Sequence, residues 1–118
     1  MITTAILWLS LTLYAEARGE TEKGKIAVAA VTMNRVRDKE HPSTVYKVVN
    51  AKGAYTWNKH LKIKDKKAYN ECRRIASLYL RGSLRNPIGK RTYFNQKRLG
   101  KRYHTKYKPI VIGNHIFY

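Results

Sequence analysis

Residues 14–36 read YAEARGETEKGKIAVAAVTMNRV, with two glutamates and a glycine followed by a long apolar pattern. Gly19 predicts the end of one helix. Thr21 is a suitable N-cap for a second helix, in which Glu22 would favour the positive end of the helix dipole. Four apolar residues then recur at helical spacing: Ile26, Ala29, Ala30 and Met33. We therefore expect a helix over residues 21–37, on which the small alanines let another helix approach closely.

The rest of the chain predicts more helices and two short strands. Capping residues and helical spacing indicate one helix from Thr3 or Thr4 to a stop at Gly19, a short one over residues 43–49, and one over residues 65–81 that ends at Gly82. Residues 92–94 and 110–112 are β-branched or aromatic, which is typical of strands. We predict a single domain over residues 1–118, of the α+β class and mainly α, with a small β element.

The charge of the chain is strongly positive and unevenly distributed. Its 118 residues include 25 Lys and Arg against 7 Asp and Glu, a formal net charge of +18. Residues 59–118 hold 17 basic and two acidic side chains, a net charge of +15. Such a field attracts polyanions. Charge alone leaves nucleic acid, anionic lipid headgroups, bacterial wall polymers and mere solubility open.

Several chemistries find no support in the sequence. Cys72 is the only cysteine, and its place on the apolar side of a helical pattern predicts a buried structural thiol. The four histidines form no HExxH motif, and the chain contains no P-loop, GxGxxG or GxSxG motif. Seven acidic residues also make a two-metal nuclease hard to build. We expect neither a metal nor a cofactor.

Glu16 and Glu20 would be neighbours on an unbroken helix, but Gly19 lies between them. Glu16 follows an apolar helix, so we expect its carboxyl at the edge of the core, where desolvation raises its pKa. A raised pKa suits a general acid near neutral pH. Glu20 is expected to bind a neighbouring backbone amide or to pair with Arg18. The alternative, which composition alone favours, makes both glutamates surface charges at a helix end.

Aromatic and polar side chains cluster in three later segments, residues 55–57, 93–95 and 114–118. Aromatic faces together with amides and hydroxyls are what a sugar-binding site requires. Aromatic residues interleaved with Lys and Arg also suit single-stranded nucleic acid. Core packing is the preferred interpretation of Phe94 and Phe117, and a structural hydrogen bond is preferred for His115.

Three segments together resemble the cell-wall hydrolase family of the spore cortex-lytic enzyme catalytic domain, which also occurs in phage lysins. They are YAEARGE at residues 14–20 with the GKIAVAAV and MNRV runs that follow, YFN at residues 93–95, and IGNHIFY at residues 112–118. Their order and spacing agree with the family over nearly the whole chain. The chain departs from the family before YFN, where NPIGKR at residues 86–91 replaces an Asp-Pro-Thr-Gly-Gly-Ala run.

The resemblance implies a lysozyme-like helical fold and a lytic transglycosylase that cleaves the β-1,4 bond between N-acetylmuramic acid and N-acetylglucosamine. Glu16 takes the position of the single catalytic acid/base, which forms a 1,6-anhydro ring on muramic acid. Binding or supporting roles are expected for Glu20, Tyr55, Thr56, Tyr93, Asn95 and His115. Muramidase and amidase activity on the same substrate stay as alternatives, as does a basic nucleic-acid-binding module.

Among members of the family, a phage endolysin fits the sequence best. The apolar N-terminus lacks a basic n-region, so we expect no cleavable signal. The enzyme would be made in the host cytoplasm and would act in the periplasm or cell wall after release. We expect peptidoglycan as its partner, attachment to an anionic wall or outer-membrane surface through the basic second half, no specific nucleic acid, and a monomer.

Overall fold

The computed structural model describes residues 3–55, 57 and 60–118. The helices are α1 (Thr4–Ala17), α2 (Glu22–Arg37), α3 (Val45–Val49) and α4 (Lys66–Leu80). Strand β1 (Phe94–Gln96) runs into a 3-10 turn (Lys97–Leu99), and strands β2 (Ile110–Ile112) and β3 (His115–Phe117) follow. The predicted α+β class, mainly α with a small β element, is confirmed. Thr56, one of the predicted site residues, lies outside the described residues.

Side-chain caps set the starts of the helices. Thr3 and Thr21 accept hydrogen bonds from the amides of Ile6 (3.1 Å) and Gly24 (3.2 Å), as predicted, and Asp65 does the same for Ala68 (3.0 Å). Thr44, and not Ser43, caps α3 by accepting from the amide of Lys47 at 3.1 Å. The α1 helix ends at Ala17, and the amide of Glu20 donates to the Ala17 carbonyl at 2.9 Å. A tight turn therefore follows Glu16 directly.

Helix α1 lies at the centre of the helical layer, in contact with α2, α3 and α4. Its buried polar residues are satisfied internally, because Ser10 and Thr12 donate to the carbonyls of Ile6 (2.6 Å) and Trp8 (2.8 Å). The sequence analysis predicted one apolar face on α2. That prediction is too narrow, because residues 27–31 are all fully buried and so cover every side of the helix. Helix α2 is enclosed because α1, α3, α4 and β2 all pack against it.

The three strands form one antiparallel sheet in the order β1-β3-β2. Strand β3 is central and pairs Phe117 with Phe94 on one side and with Ile110 on the other. The sequence analysis did not predict β3, and it placed the first strand at residues 92–94 instead of Phe94–Gln96. Both differences have one cause: β1 takes its register from pairing with β3, which a three-residue pattern does not reveal.

Within the described residues, no helix has both the length and the hydrophobicity that a membrane span requires.

The hydroxyl of Tyr14 joins α1 to the start of α4. It accepts hydrogen bonds from the amides of Lys64 (3.2 Å) and Asp65 (3.1 Å), and the Tyr14 side chain is buried. The Arg18 guanidinium lies over its ring, 4.6 Å from the centroid. Because Tyr14 precedes Glu16 by two residues, this contact helps to fix the end of α1 that carries Glu16.

Replacing Tyr14 with Phe should lower the free energy of unfolding by about 1–3 kcal/mol, because two backbone amides lose their acceptor. Urea unfolding at neutral pH measures the change. Tyr69→Phe is the matched control: its ring packs edge-on against Tyr14 at 6.0 Å, and its hydroxyl bonds to no described residue. The control should stay within about 0.5 kcal/mol of the wild type. Equal stability of the two variants would show that the Tyr14 hydroxyl does not join the helices.

Candidate active site

Glu16 lies near the end of α1, where two cavities meet. One cavity, of about 410 Å³, is lined by Glu16, Glu20, Gln96, Lys97, Arg98, Asn114 and His115, and we call it the polar cavity. The other, of about 340 Å³, has Glu16, Arg35, Tyr55, Tyr93, Phe94 and Tyr103 in its wall, and we call it the aromatic cavity. Because Glu16 lines both, it lies between the two cavities, which we together call the cleft.

The surroundings of the Glu16 carboxyl favour its protonated form. Burial raises its pKa, and the nearby Arg35 guanidinium offsets only part of that effect. Within the part of the chain that the structure describes, no donor forms a hydrogen bond to the Glu16 carboxyl. A carboxyl in this environment stays protonated to a higher pH than an exposed glutamate and keeps both oxygens open to the cleft.

Arg35 is a site residue that the sequence analysis missed. Its Nε donates to the Thr92 carbonyl at 2.7 Å, and its Nη1 lies 3.5 Å from the Tyr55 hydroxyl. The guanidinium also lies over the rings of Tyr55 (5.7 Å) and Phe94 (6.0 Å). A fixed cation therefore faces Glu16 from α2. Its place in the MNRV run that follows the apolar part of the helix was the signal that could have revealed it.

Glu20 is held between two distant parts of the chain. Its Oε1 accepts from the backbone amide of Asn114 at 2.9 Å, and its Oε2 accepts from the Asn114 side chain at 3.0 Å. Gly24 and Gly113 leave room for it, because a Cβ on either residue would overlap Glu20, and Gly113 has a φ of +59°. The sequence prediction that Glu20 binds a backbone amide is correct, but the amide is not a neighbouring one.

The charge of Glu20 follows from these contacts. Burial raises the pKa of Glu20, but the two hydrogen bonds from Asn114, aided by His115 and Lys25, outweigh it and lower the pKa overall. The pKa of Glu20 thus lies below the ordinary glutamate value and that of Glu16 lies above it, so in the pH range between them Glu20 is ionised and Glu16 is protonated. The predicted pairing of Glu20 with Arg18 is not seen; the Lys25 ammonium instead donates to the Glu20 carbonyl at 2.7 Å.

His115 lies in the wall of the polar cavity, on strand β3, and is 3% exposed. Its Nδ1 is 3.8 Å from Glu20 Oε1, too far for a hydrogen bond, and the ring bonds to no described residue. The sequence analysis preferred a structural hydrogen bond for His115, and this prediction is therefore wrong. Burial lowers the pKa of His115, and Glu20 offsets part of this effect, so the ring is mostly neutral at pH 7.

The tyrosines of the aromatic cavity differ in exposure. Tyr55 is buried, and its hydroxyl lies 3.4 Å from that of Thr32. Tyr93 is 40% exposed and stacks on Tyr103, with the ring centroids 5.3 Å apart and the planes at 21°. Tyr103 was not predicted as a site residue, because its polar, basic segment carries no motif. The exposed pair offers flat apolar faces of the kind that sugar rings bind.

Asn95 lies behind the cleft, in the wall of neither cavity. Its side chain donates to the Lys101 carbonyl at 3.0 Å and accepts from the Tyr118 hydroxyl at 3.3 Å. The Tyr118 hydroxyl also bonds to the Lys101 carbonyl, at 3.0 Å. Asn95 thereby supports the start of the basic segment that follows β1 and does not face the cleft.

Two findings concern residues outside the cleft. Cys72 is buried, as predicted, and burial raises the pKa of its thiol to about 11. The described residues include no cluster of three His, Cys, Asp or Glu side chains that could hold a metal ion.

The sequence model of a family described as cell wall hydrolase matches residues 19–118. This chain belongs to the cell wall hydrolase family. The catalytic domain of the germination-specific lytic transglycosylase SleB from Bacillus anthracis has the same fold, with a TM-score of 0.73 and 27% identity over 99% of this chain and 95% of that one. The SleB catalytic domain from Bacillus cereus matches with a TM-score of 0.67 and 26% identity, over 99% of this chain and 91% of that one. No curated protein matches the chain.

The predicted family and the predicted kind of enzyme are therefore confirmed: this cell wall hydrolase degrades peptidoglycan. The matched residues begin at 19, so they include Glu20, Asn114 and His115 but not Glu16. The structural matches cover 99% of the chain. Any role assigned to Glu16 therefore rests on its position in the cleft and on its raised pKa.

Replacing Glu20 with Gln should destabilise the hydrolase by about 1.5–3 kcal/mol at pH 7, because both Asn114 hydrogen bonds lose their charged acceptor. The pKa of Glu20 is lowered by folding, so its stabilising effect is present above the unfolded-state pKa. That effect is lost as the pH falls through the folded-state pKa. Urea unfolding at several pH values should show the gap between wild type and variant closing under acid conditions.

Glu40→Gln is the control for this change, since Glu40 is exposed and lines neither cavity. It should leave stability within about 0.5 kcal/mol at every pH. A Glu20→Gln protein as stable as the wild type at pH 7 would contradict the inferred role of the Asn114 contact.

Proposed function

We propose that this hydrolase is a lytic transglycosylase that cleaves the β-1,4 bond between N-acetylmuramic acid and N-acetylglucosamine, with Glu16 as its single general acid/base. One observation carries the proposal: a half-buried carboxyl with a raised pKa lies where two cavities meet. A glycan strand that fills both cavities has a glycosidic bond over Glu16. The likeness to a domain named as a lytic transglycosylase supports the same reaction.

The reaction has two proton transfers at one carboxyl. Protonated Glu16 gives its proton to the glycosidic oxygen as the bond from that oxygen to C1 of muramic acid breaks. The resulting Glu16 carboxylate takes the proton of the C6 hydroxyl, and O6 bonds to C1 to close the 1,6-anhydro ring. Glu16 ends protonated, as it began, and no water is consumed.

The surroundings of Glu16 suit both of its states. Burial favours the protonated form that starts the reaction, and the Arg35 guanidinium stabilises the carboxylate that exists between the two transfers. Arg35 is held by the Thr92 carbonyl and the Tyr55 hydroxyl, so it need not reorganise as the charge develops.

The acidic groups of the cleft favour a route without a carboxylate nucleophile. Among described residues, Glu16 and Glu20 are the only acids that line either cavity. Both oxygens of Glu20 are engaged by Asn114, so Glu20 is a poor nucleophile and supports the site instead. Paired-carboxylate glycosidases need a second carboxylate beside the sugar, whereas anhydro-ring formation does not.

The basic second half of the chain suits retention on an anionic wall or outer-membrane surface. Every lysine and arginine between residues 97 and 108 is exposed, and two of them line the polar cavity. We propose that these charges attract the enzyme to its substrate, in a reaction that a phage endolysin performs in the host periplasm or cell wall.

Replacing Glu16 with Gln should lower the rate of peptidoglycan cleavage by about 10³-fold or more, because the amide can neither give nor take the proton. The variant should fold at least as stably as the wild type at pH 7, since burial opposes ionisation of the native carboxyl. The assay is release of muropeptides from purified sacculi, and Glu40→Gln should keep full activity.

The mass of the wild-type products identifies the bond and the route. Transglycosylase products are lighter by one water than the hydrolytic ones and carry no reducing muramic end. Reducing muropeptides would show a muramidase, and freed peptides would show an amidase. Either product in place of anhydro ends would overturn the proposed reaction.

Replacing Arg35 with Gln should move the alkaline limb of the pH profile of kcat/KM to higher pH. Without the cation, Glu16 keeps its proton longer as the pH rises, because the one influence that lowers its pKa is gone. Arg37→Gln removes the same charge from an exposed position on the same helix and should leave the limb in place. A limb that stays or moves to lower pH in Arg35→Gln would rule out this control of Glu16.

A further inference from the structure

Two cations of the polar cavity have no part in the reaction described above. Lys97 and Arg98 line that cavity from the 3-10 turn after β1, and both are exposed. Neither forms an ion pair with an acid among the described residues. The Arg98 Nε donates to the Gln96 side chain at 2.6 Å, which leaves its terminal nitrogens open. These are cations available to an outside anion.

The backbone that carries these cations is fixed relative to Glu16. The amide of Lys97 donates to the Asn114 carbonyl at 2.8 Å, and Asn114 is itself bound to Glu20. Gln96 pairs with His115 in the sheet. A continuous set of hydrogen bonds therefore joins the cationic turn to the end of α1, so its distance from the cleaved bond is set by the fold.

The acids of the polar cavity do not fully neutralise the two cations. Glu20, hydrogen-bonded to Asn114, contributes one negative charge, and the raised pKa of Glu16 favours its uncharged form, the form in which the proposed reaction starts. His115 is mostly neutral. With substrate about to bind, this side of the cleft therefore presents net positive charge, whereas the stacked Tyr93 and Tyr103 lie on the other side.

The two sugars of peptidoglycan differ in charge in a way that matches this asymmetry. The muramic residue carries a lactyl group with a peptide stem, whose carboxylates are anionic at neutral pH, and the glucosamine residue has no charged group. An arginine with open terminal nitrogens binds a carboxylate through two parallel hydrogen bonds, and a lysine adds a point charge.

We propose that Lys97 and Arg98 bind a carboxylate of the peptide stem, so that the polar cavity selects peptide-bearing muramic acid. This proposal rests on the proposed function, because it assigns a substrate group to the same cleft. Under this proposal Lys97 and Arg98 determine specificity by recognising the stem. This role differs from the general attraction of a basic surface to any polyanion.

The test compares two substrates without teichoic acid: glycan strands with their peptide stems, and the same strands after an amidase has removed the stems. The amidase takes away the carboxylates of the stem but leaves a carboxylate on each lactyl group, so the stripped strands keep a negative charge next to the sugar. The wild type should prefer the stem-bearing strands. The double variant Lys97→Gln, Arg98→Gln should lose about 3- to 10-fold in kcat/KM on stem-bearing strands, the range expected for two exposed ion pairs. The loss should lie mainly in KM, and cleavage of stripped strands should be unchanged.

The matched control is Lys66→Gln, Lys67→Gln, an adjacent exposed pair on α4 that lines neither cavity. It removes the same charge and should leave the ratio of the two substrates as in the wild type. Thermal unfolding checks that both double variants fold like the wild type.

Three results would overturn the proposal. Equal losses on both substrates would mean a general attraction to anionic strands, including through the lactyl carboxylate, and no loss would mean that the cations recognise nothing. A loss seen only on a third substrate, walls that retain teichoic acid, would assign the cations to phosphate instead. Failure of the proposed function is distinguishable, because products without anhydro ends overturn the reaction whatever the substrate ratio is.

Discussion

The Glu20 carboxylate accepts hydrogen bonds from the backbone and the side chain of Asn114, across 94 positions of sequence. This contact joins the turn after α1 to the turn between β2 and β3, and the polar cavity is built around it. Gly24 and Gly113 leave the necessary space, since a Cβ at either residue would overlap Glu20. The cationic turn depends on it as well, through the bond from Lys97 to Asn114. Glu20 thus acts on the site by holding its walls.

Two glutamates four residues apart have opposite pKa shifts because of what surrounds them. Burial raises the pKa of both, but only Glu20 has hydrogen-bond donors that reverse the effect. The tight turn after α1 separates them, leaving Glu16 on the helix and sending Glu20 toward the sheet. A carboxyl with a raised pKa and a structural carboxylate therefore arise from one short motif, as happens wherever environment divides paired acids.

Local signals in the sequence were enough for the helices, but not for what packs against them. Thr3 and Thr21 cap α1 and α2 as predicted, because capping needs only the next few residues. Strand β3 was missed, since its pattern is three residues long and its stability comes from partners on both sides. The site shows the same division: composition alone favoured a surface role for Glu16, whereas its pKa is set by burial, which raises it, and by Arg35 of another helix, which lowers it in part.

The composition shows only a large excess of positive charge. In the fold, the basic residues discussed above fall into two groups. Arg35 is held by Thr92 and Tyr55 and lowers the pKa of the partly buried Glu16, in surroundings where salt screens less than in open solvent. The exposed cations of residues 97–108 act on what approaches from solvent, where ionic strength governs their reach. Lys97 and Arg98 lie at the boundary, exposed but fixed through Asn114 to the helix that carries Glu16. The hydrogen bonds through Asn114 hold these two positive charges at a constant distance from Glu16. A charge that is fixed in this way can recognise one group of a substrate, whereas a mobile surface charge attracts any anion.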